Sequence, residues 1–222
     1  MPNLKIISIL MLGTFLGACA STTPAPTVPV IPVGAIGNAT ANTDGTYTVT
    51  ANSTSYDLGT PTIAGGNTNR FFGFLPDARA RGFVNADVIA IGGLLGDGTG
   101  FAGLTGTASA PAQTSGTATY AARYTLVYTT ASGAPVIGGT DGATTISVDF
   151  SAGTLSAGSP YLTFTNTNIS GATFTGDVTC SYTANGCTGT SPMQGGFYGT
   201  NGIAGVYAGT NFAGAFYGTK SP

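Results

Sequence analysis

Residues 195–220 read GGFYGTNGIAGVYAGTNFAGAFYGTK, eight glycines set among Phe and Tyr with Lys220 as the only charge. Two structures compete for such a stretch: a disordered low-complexity tail and a strongly curved β-sheet. Disorder goes with high net charge and few aromatic or β-branched residues. The 222-residue chain instead has a net charge of −2 and 42% hydrophobic residues. Only 6% of its residues are charged, where an ordinary soluble domain carries about 25%. Every acid is Asp, and Glu, His and Trp are missing. Gly, Thr, Ser, Asn, Tyr and Val without Glu favour strands and turns over helices. The composition therefore predicts an all-β fold.

Period-two patterning extends this reading upstream. In YAARYTLVYTT, Tyr120, Ala122, Tyr124, Leu126 and Tyr128 fall on one face, and Ala121, Arg123, Thr125, Val127 and Thr129 on the other. Ile146, Val148 and Phe150 alternate with Ser147 and Asp149; Leu162 and Phe164 with Thr163 and Thr165; Ala172, Phe174, Gly176 and Val178 with Thr173, Thr175 and Asp177. Turn residues separate these runs at Gly138–Gly142, Ser151–Gly153, Asn185-Gly186, Thr200–Gly202 and Gly209–Asn211. The count is about eight strands, at the spacing of an all-β sandwich or barrel. A small eight-stranded barrel has just enough interior for side chains to fill it. Rings would occupy that interior, and glycine would stand where a ring or a backbone comes close.

Before this half, residues 34–110 promise strands at Tyr47–Thr50, at Arg70–Leu75 and within Val84–Ile91, the last closed by GGLLGDGTG. Val88–Ile91 does not alternate, which implies either burial on both faces or a short helix. No topology follows from these residues.

The first 33 residues carry an address. Lys5 and the apolar run Ile6–Phe15 form the front of an export signal too short for a stable membrane span. Leu16-Gly17-Ala18-Cys19 then resembles the lipobox of bacterial lipoproteins, which implies cleavage of a signal peptide over 1–18 and acylation of Cys19. Ala20 after it is similar to lipoproteins sent to the outer membrane. Acyl chains contribute about 0.8 kcal/mol per buried CH₂, so multiple chains anchor stably. The acylated Cys and a Pro-rich tether occupy 19–33, extended at roughly 3 Å per residue. Cys180 and Cys187 in CSYTANGC close a small loop, and in an oxidising compartment the pair is expected to form a disulfide, two unpaired thiols being the alternative.

Much chemistry is excluded. A slightly acidic chain whose basic residues cluster only at Arg79 and Arg81 does not attract nucleic acid. Without His and Glu, acid–base catalysis would fall to Asp, Tyr, Cys or the few cations. Most aspartates stand beside Gly or a turn, where Asp caps backbone. Asp97-Gly98-Thr99-Gly100 lacks the further carboxylates of a calcium loop, and no Gly-rich run ends in GK[ST]. The expectation is a non-enzyme with no cofactor and no metal.

The order of motifs then resembles a known family. PAQTSGTATYAARY (111–124) is similar to the opening strand of the β-barrel domain of transferrin-binding protein B-like surface lipoproteins. DFSAGTLSAG (149–158) resembles that family's hairpin with an inward Phe, ISGATFTGDV (169–178) a later strand, and residues 195–220 the closing hairpin. Thr200 stands where Pro is frequent, and the loop after Asn201 is shorter and lacks an acidic pair. The resemblance implies an eight-stranded antiparallel up-and-down barrel over 111–222, preceded by a small β-rich handle-like region over 34–110. It further implies an outer-membrane lipoprotein, at the cell surface or on the periplasmic face, that captures a host or environmental protein, or an iron or haem source, for an outer-membrane transporter. Transferrin binding itself is not carried over. Candidate partner contacts are Arg70, Phe71, Phe72, Phe74, Arg79, Arg81 and Phe83, with packing between handle and barrel as the competing fate of the rings. The alternatives are a barrel inserted in the outer membrane, for which scarce charge is suitable, and an inert structural or adhesive surface protein.

Overall fold

A computed structural model describes residues 34–64, 69–75, 78–130, 137–183 and 186–222; the signal segment, Cys19 and the Pro-rich stretch lie outside them. The chain is all β. An eight-stranded sheet comes first: β1 Ala35–Ala41, β2 Tyr47–Ala51, β3 Thr54–Asp57, β4 Thr62–Ala64, β5 Asn69–Leu75, β6 Ala78–Val84, β7 Val88–Leu95 and β8 Gly100–Gly106. Their lateral order is β3-β2-β1-β8-β7-β6-β5-β4. Every pairing is antiparallel except β1 with β8, where Ala35 lies beside Phe101. The second half closes on itself. Strands β9 Thr117–Thr129, β10 Ile137–Asp149, β11 Thr154–Gly158, β12 Leu162–Ser170, β13 Thr173–Cys180, β14 Gly189–Tyr198, β15 Gly202–Ala208 and β16 Phe212–Lys220 pair each with the next, and β16 returns to β9. This is the expected eight-stranded up-and-down barrel.

Inside, the barrel is packed with residues that the alternation assigned to one face, Tyr120, Tyr124, Leu126, Ile146, Val148, Phe164 and Phe174 among them, together with Tyr207 and Phe216 of the closing hairpin. Phe174 lies 6.1 Å from Phe216, and Phe164 lies 4.9 Å from it. Tyr207 donates a hydrogen bond of 2.6 Å to the Thr125 carbonyl, so its buried hydroxyl is satisfied. The glycines of 195–220 are where these rings need space. A methyl group at Gly205 would meet Cζ of Phe216 at 2.5 Å, and one at Gly195 would collide with the Phe174 ring.

The outer face of the same hairpin is also buried. Ala204, Val206, Ala208, Ala213, Ala215 and Tyr217 form a second core with Phe83, Val88, Ala90, Leu94 and Ala102 of the sheet. This explains the unbroken apolar run at Val88: β7 packs on the barrel with one face and, through Ile91, on Val49, Ala80 and Phe101 with the other. Contact reaches the backbone, since a methyl on Gly92 would overlap the Gly214 main chain. The β7–β8 turn is also tied to the β15–β16 turn, by Gly100 N to Gly209 O at 3.0 Å and Asn211 N to Gly98 O at 2.8 Å.

One expected turn is a strand. Gly138–Gly142 lies inside β10, and Gly138 and Gly142 face rings: a methyl on Gly142 would stand 2.6 Å from Oη of Tyr124. Elsewhere aspartates cap turns as expected. Asp97 Oδ1 accepts from Thr99 N at 2.8 Å, and Asp149 Oδ1 accepts from Ser151 N and Ala152 N, both at 2.9 Å. The disulfide Cys180–Cys187 is formed, with both residues buried. Asn185 of the proposed turn lies outside the described residues.

Away from the sheet the barrel exterior carries Thr117, Thr119, Thr145, Ser147, Thr163, Thr165, Thr175 and Thr190, all exposed. Apolar inside and hydroxylated outside is the reverse of a barrel inserted in an outer membrane, whose wall is apolar and whose lumen is polar. This distribution weighs against the alternative of an inserted barrel.

Candidate functional site

Strand parity decides where the cations go. On β6, Ala78, Ala80 and Gly82 are buried, Ala78 and Ala80 within the core on the sheet's far side, while Arg79, Arg81 and Phe83 take the side toward the barrel. Register then sets Phe72 beside Arg81, Phe74 beside Arg79 and Arg70 beside Phe83. The side chains of Arg70, Phe71 and Phe74 lie outside the described residues.

The row on β6 runs from interior to solvent. Phe83 is 1% exposed, 6.4 Å from the ring of Tyr217, and belongs to the core between sheet and barrel. It is a packing residue, the competing fate considered for these rings. Arg81 comes next, half-buried, its guanidinium 5.1 Å from the centroid of Phe72 in cation–π geometry. Arg79 at the end of the row is exposed.

The barrel contributes a third arginine and an acid. Arg123 on β9 stands where the sheet's cover ends: Thr125 and Val127 beyond it are buried, Ala121 and Thr119 before it exposed. Asp141 on β10 accepts from Arg123 Nη2 at 3.1 Å and faces Arg81 Nη1 at 3.9 Å. A methyl at Gly139 would lie 2.6 Å from Arg81 Nε, so glycine there lets the guanidinium lie close against β10. Two guanidiniums share one carboxylate. At 22–42% exposure such pairs contribute at most about 1 kcal/mol each.

Arg123 and Asp141 were not among the sequence candidates. The alternation sets Arg123 on the face opposite Tyr120, Tyr124 and Tyr128, which the structure turns outward. Continuing the alternation of Ser147 and Asp149 backward through the glycines would have put Asp141 outward beside it.

Next to Arg123 a groove of about 610 Å³ opens along the barrel wall, floored by Ala121, Ala143 and Gly158 and flanked by Thr145, Thr219 and Tyr217. Burial raises the pKa of the Tyr217 phenol, Asp87 adds to the rise, and a hydrogen bond with Asn85 opposes it. At one mouth of the barrel, Tyr182 of the disulfide loop packs on Tyr161 at 4.0 Å and edge-on to Tyr128 at 5.4 Å. Among the described residues no three His, Cys, Asp or Glu side chains gather as metal ligands would.

No protein-family profile matches the chain, and no curated protein matches it. Its structure is similar to that of transferrin-binding protein B from Haemophilus parasuis Hp5, a vaccine antigen crystallised as a single-residue mutant. The two are 15% identical, with a TM-score of 0.52 over 79% of this chain. The chain spans only 40% of that protein's length. At this identity the likeness is one of fold, and the fold is the one that the sequence resemblance implied.

Proposed function

We propose that the chain is a non-catalytic binding module, exported by residues 1–18, acylated on Cys19 and held off the outer membrane by the tether 19–33. Its role is to hold a protein or small-molecule partner at the membrane surface, for delivery of cargo to an outer-membrane transporter. The observation that carries this reading is the junction of sheet and barrel. There Arg81, over the Phe72 ring of the sheet, meets the Arg123–Asp141 pair of the barrel, with Arg79 exposed further along the same strand, on a platform whose backbones are in contact. Arginines and rings on a rigid support suit an interface, because little ordering entropy is lost on docking. Transferrin-binding protein B is by its name a binding protein, and the shared fold lends support to that class of function. The ligand in that name is not transferred.

Two measurements test the reading. Arg79→Ala/Arg81→Ala should lower capture of a partner from host or environmental fluid at least tenfold, with the melting temperature kept within a few degrees. Capture by the variant equal to that by wild type would remove the proposed face. Cys19→Ser should abolish incorporation of labelled fatty acid and release the chain from membranes without detergent; a variant still needing detergent would overturn the anchor.

A further inference from the structure

The hydrogen-bond ladder of the barrel is thin between β11 and β12. On its other side β11 pairs with β10 all along, from Thr145 beside Gly158 to Asp149 beside Thr154. Toward β12, among the described residues, strand pairing is limited to Gly158 beside Thr163. Two main-chain bonds pin the ends, Ser159 N to Leu162 O at 2.9 Å and Ile169 N to Gly153 O at 2.8 Å. Between them a side chain stands in for backbone. The Thr167 hydroxyl accepts from Leu155 N at 2.8 Å and donates to the Leu155 carbonyl.

The cause lies in β12. Its register with β13 slips between Thr165 and Asn168, and Asn166 at the slip has a φ of 51° and donates from Nδ2 to Asp177 Oδ2 at 2.8 Å. A bulge bends its strand and leaves a residue out of the ladder. Pairing resumes on the β13 side, from Asn168 beside Thr175 to Ser170 beside Thr173, whereas β11 meets Thr167 through its hydroxyl. Apolar burial does little to compensate. β11 buries only Leu155 and Ala157, and a small crevice lined by Tyr124, Thr144, Ala157, Ser159, Leu162 and Phe164 lies at the same seam. Few backbone bonds and few buried apolar groups place a segment at the low end of local stability.

We propose that the barrel wall opens at this seam, β11 leaving β12 while it keeps its ladder with β10. The core behind Ala157 then becomes accessible without global unfolding. This gate belongs to the barrel alone, and its failure would leave capture of a partner at the β5–β6 face untouched.

Native-state hydrogen exchange on the full chain tests it. The amides of Leu155, Ser159 and Ile169 should exchange roughly a hundredfold faster than the paired amides of β13 and β14, with little dependence on added urea, as local opening requires. Thr167→Val removes the bridging hydroxyl at nearly constant size. It should speed exchange at Ser159 and Ile169 about tenfold, as well as at Leu155, because the seam opens as one unit. A change confined to Leu155 would mean a lost bond and no gate. A second readout does not depend on that variant folding. Ala157 and Ala118 are equally exposed, at 8%, and both belong to the barrel core. In a Cys19→Ser chain, Ala157→Cys should be alkylated by iodoacetamide at least tenfold faster than Ala118→Cys. Equal alkylation rates, or exchange at the seam as slow as in β13, would each overturn the proposal.

Discussion

A methyl group at Gly205 would press on the Phe216 ring at 2.5 Å, whereas one at Gly158 would meet nothing within 4 Å. The two glycines look alike in sequence, and their physical roles are opposite. Gly205 is an interior position where the ring fills the space that a Cβ would need. Overpacking a close-packed core costs about 1–3 kcal/mol, so Gly205→Ala should lower the free energy of unfolding by that amount in urea. Gly158→Ala stands in open space on β11 and should be neutral or stabilising by up to about 1 kcal/mol, because alanine restricts the unfolded chain. Gly92→Ala should be the most harmful of the three, since the obstruction is the Gly214 backbone and no side chain can turn aside. A loss at Gly158 equal to that at Gly205 would mean that backbone conformation, not ring packing, selects glycine in this protein.

The hairpin β13–β14 is the element most dependent on a covalent link. Its tip is closed by Cys180–Cys187, and Tyr182 inside the loop packs on Tyr161 and Tyr128 at the mouth of the barrel. Constraining so short a loop is worth about 2–3 kcal/mol in the unfolded chain. Cys180→Ala/Cys187→Ala should therefore lower the urea midpoint by a matching amount while the β-type circular dichroism persists; loss of that signal in native buffer would show that the link is required for the barrel itself. Elements also differ in how far the sequence discloses them. The first half of β9 and all of β13 were legible because one face meets a core and the other meets water, so side chains alternate. The first part of β10 was not, because GGTDG shows no alternation when the inward residues are glycines under Tyr124 and Tyr128. The sheet topology was hidden for another reason: β7 is covered on both faces, and β1 joins β8 in parallel across most of the sheet's sequence. The arginine cluster and the groove depend on register between those strands, and so could be named only in part, through Arg79, Arg81 and the position of Arg123 on the face opposite the rings.

At the scale of the whole molecule, one titration behaviour follows from the tyrosines that the barrel strands bury, in the barrel core and against the sheet. Burial raises the phenol pKa of Tyr120, Tyr124, Tyr198, Tyr207 and Tyr217, with that of Tyr207 raised well above the ordinary range. In the unfolded chain these phenols ionise near pH 10. Below that pH both states hold their phenolic protons, and the stability due to neutral, buried rings is fully present. As pH rises past about 10 the unfolded state releases protons that the folded state keeps, so it binds fewer and the free energy of unfolding falls with pH. The loss should continue until the folded-state values are reached. The chain contains no His and no Glu, so little titrates between the aspartates and the phenols. The urea midpoint should accordingly stay flat from roughly pH 5 to 9 and decline above about pH 10. Measuring it across that range, with reversibility checked by returning samples to neutral pH, decides the matter. A decline centred near pH 6–7 would require an ionising group that the sequence does not supply, and a midpoint unchanged up to pH 11.5 would mean that the rings are not held neutral by burial.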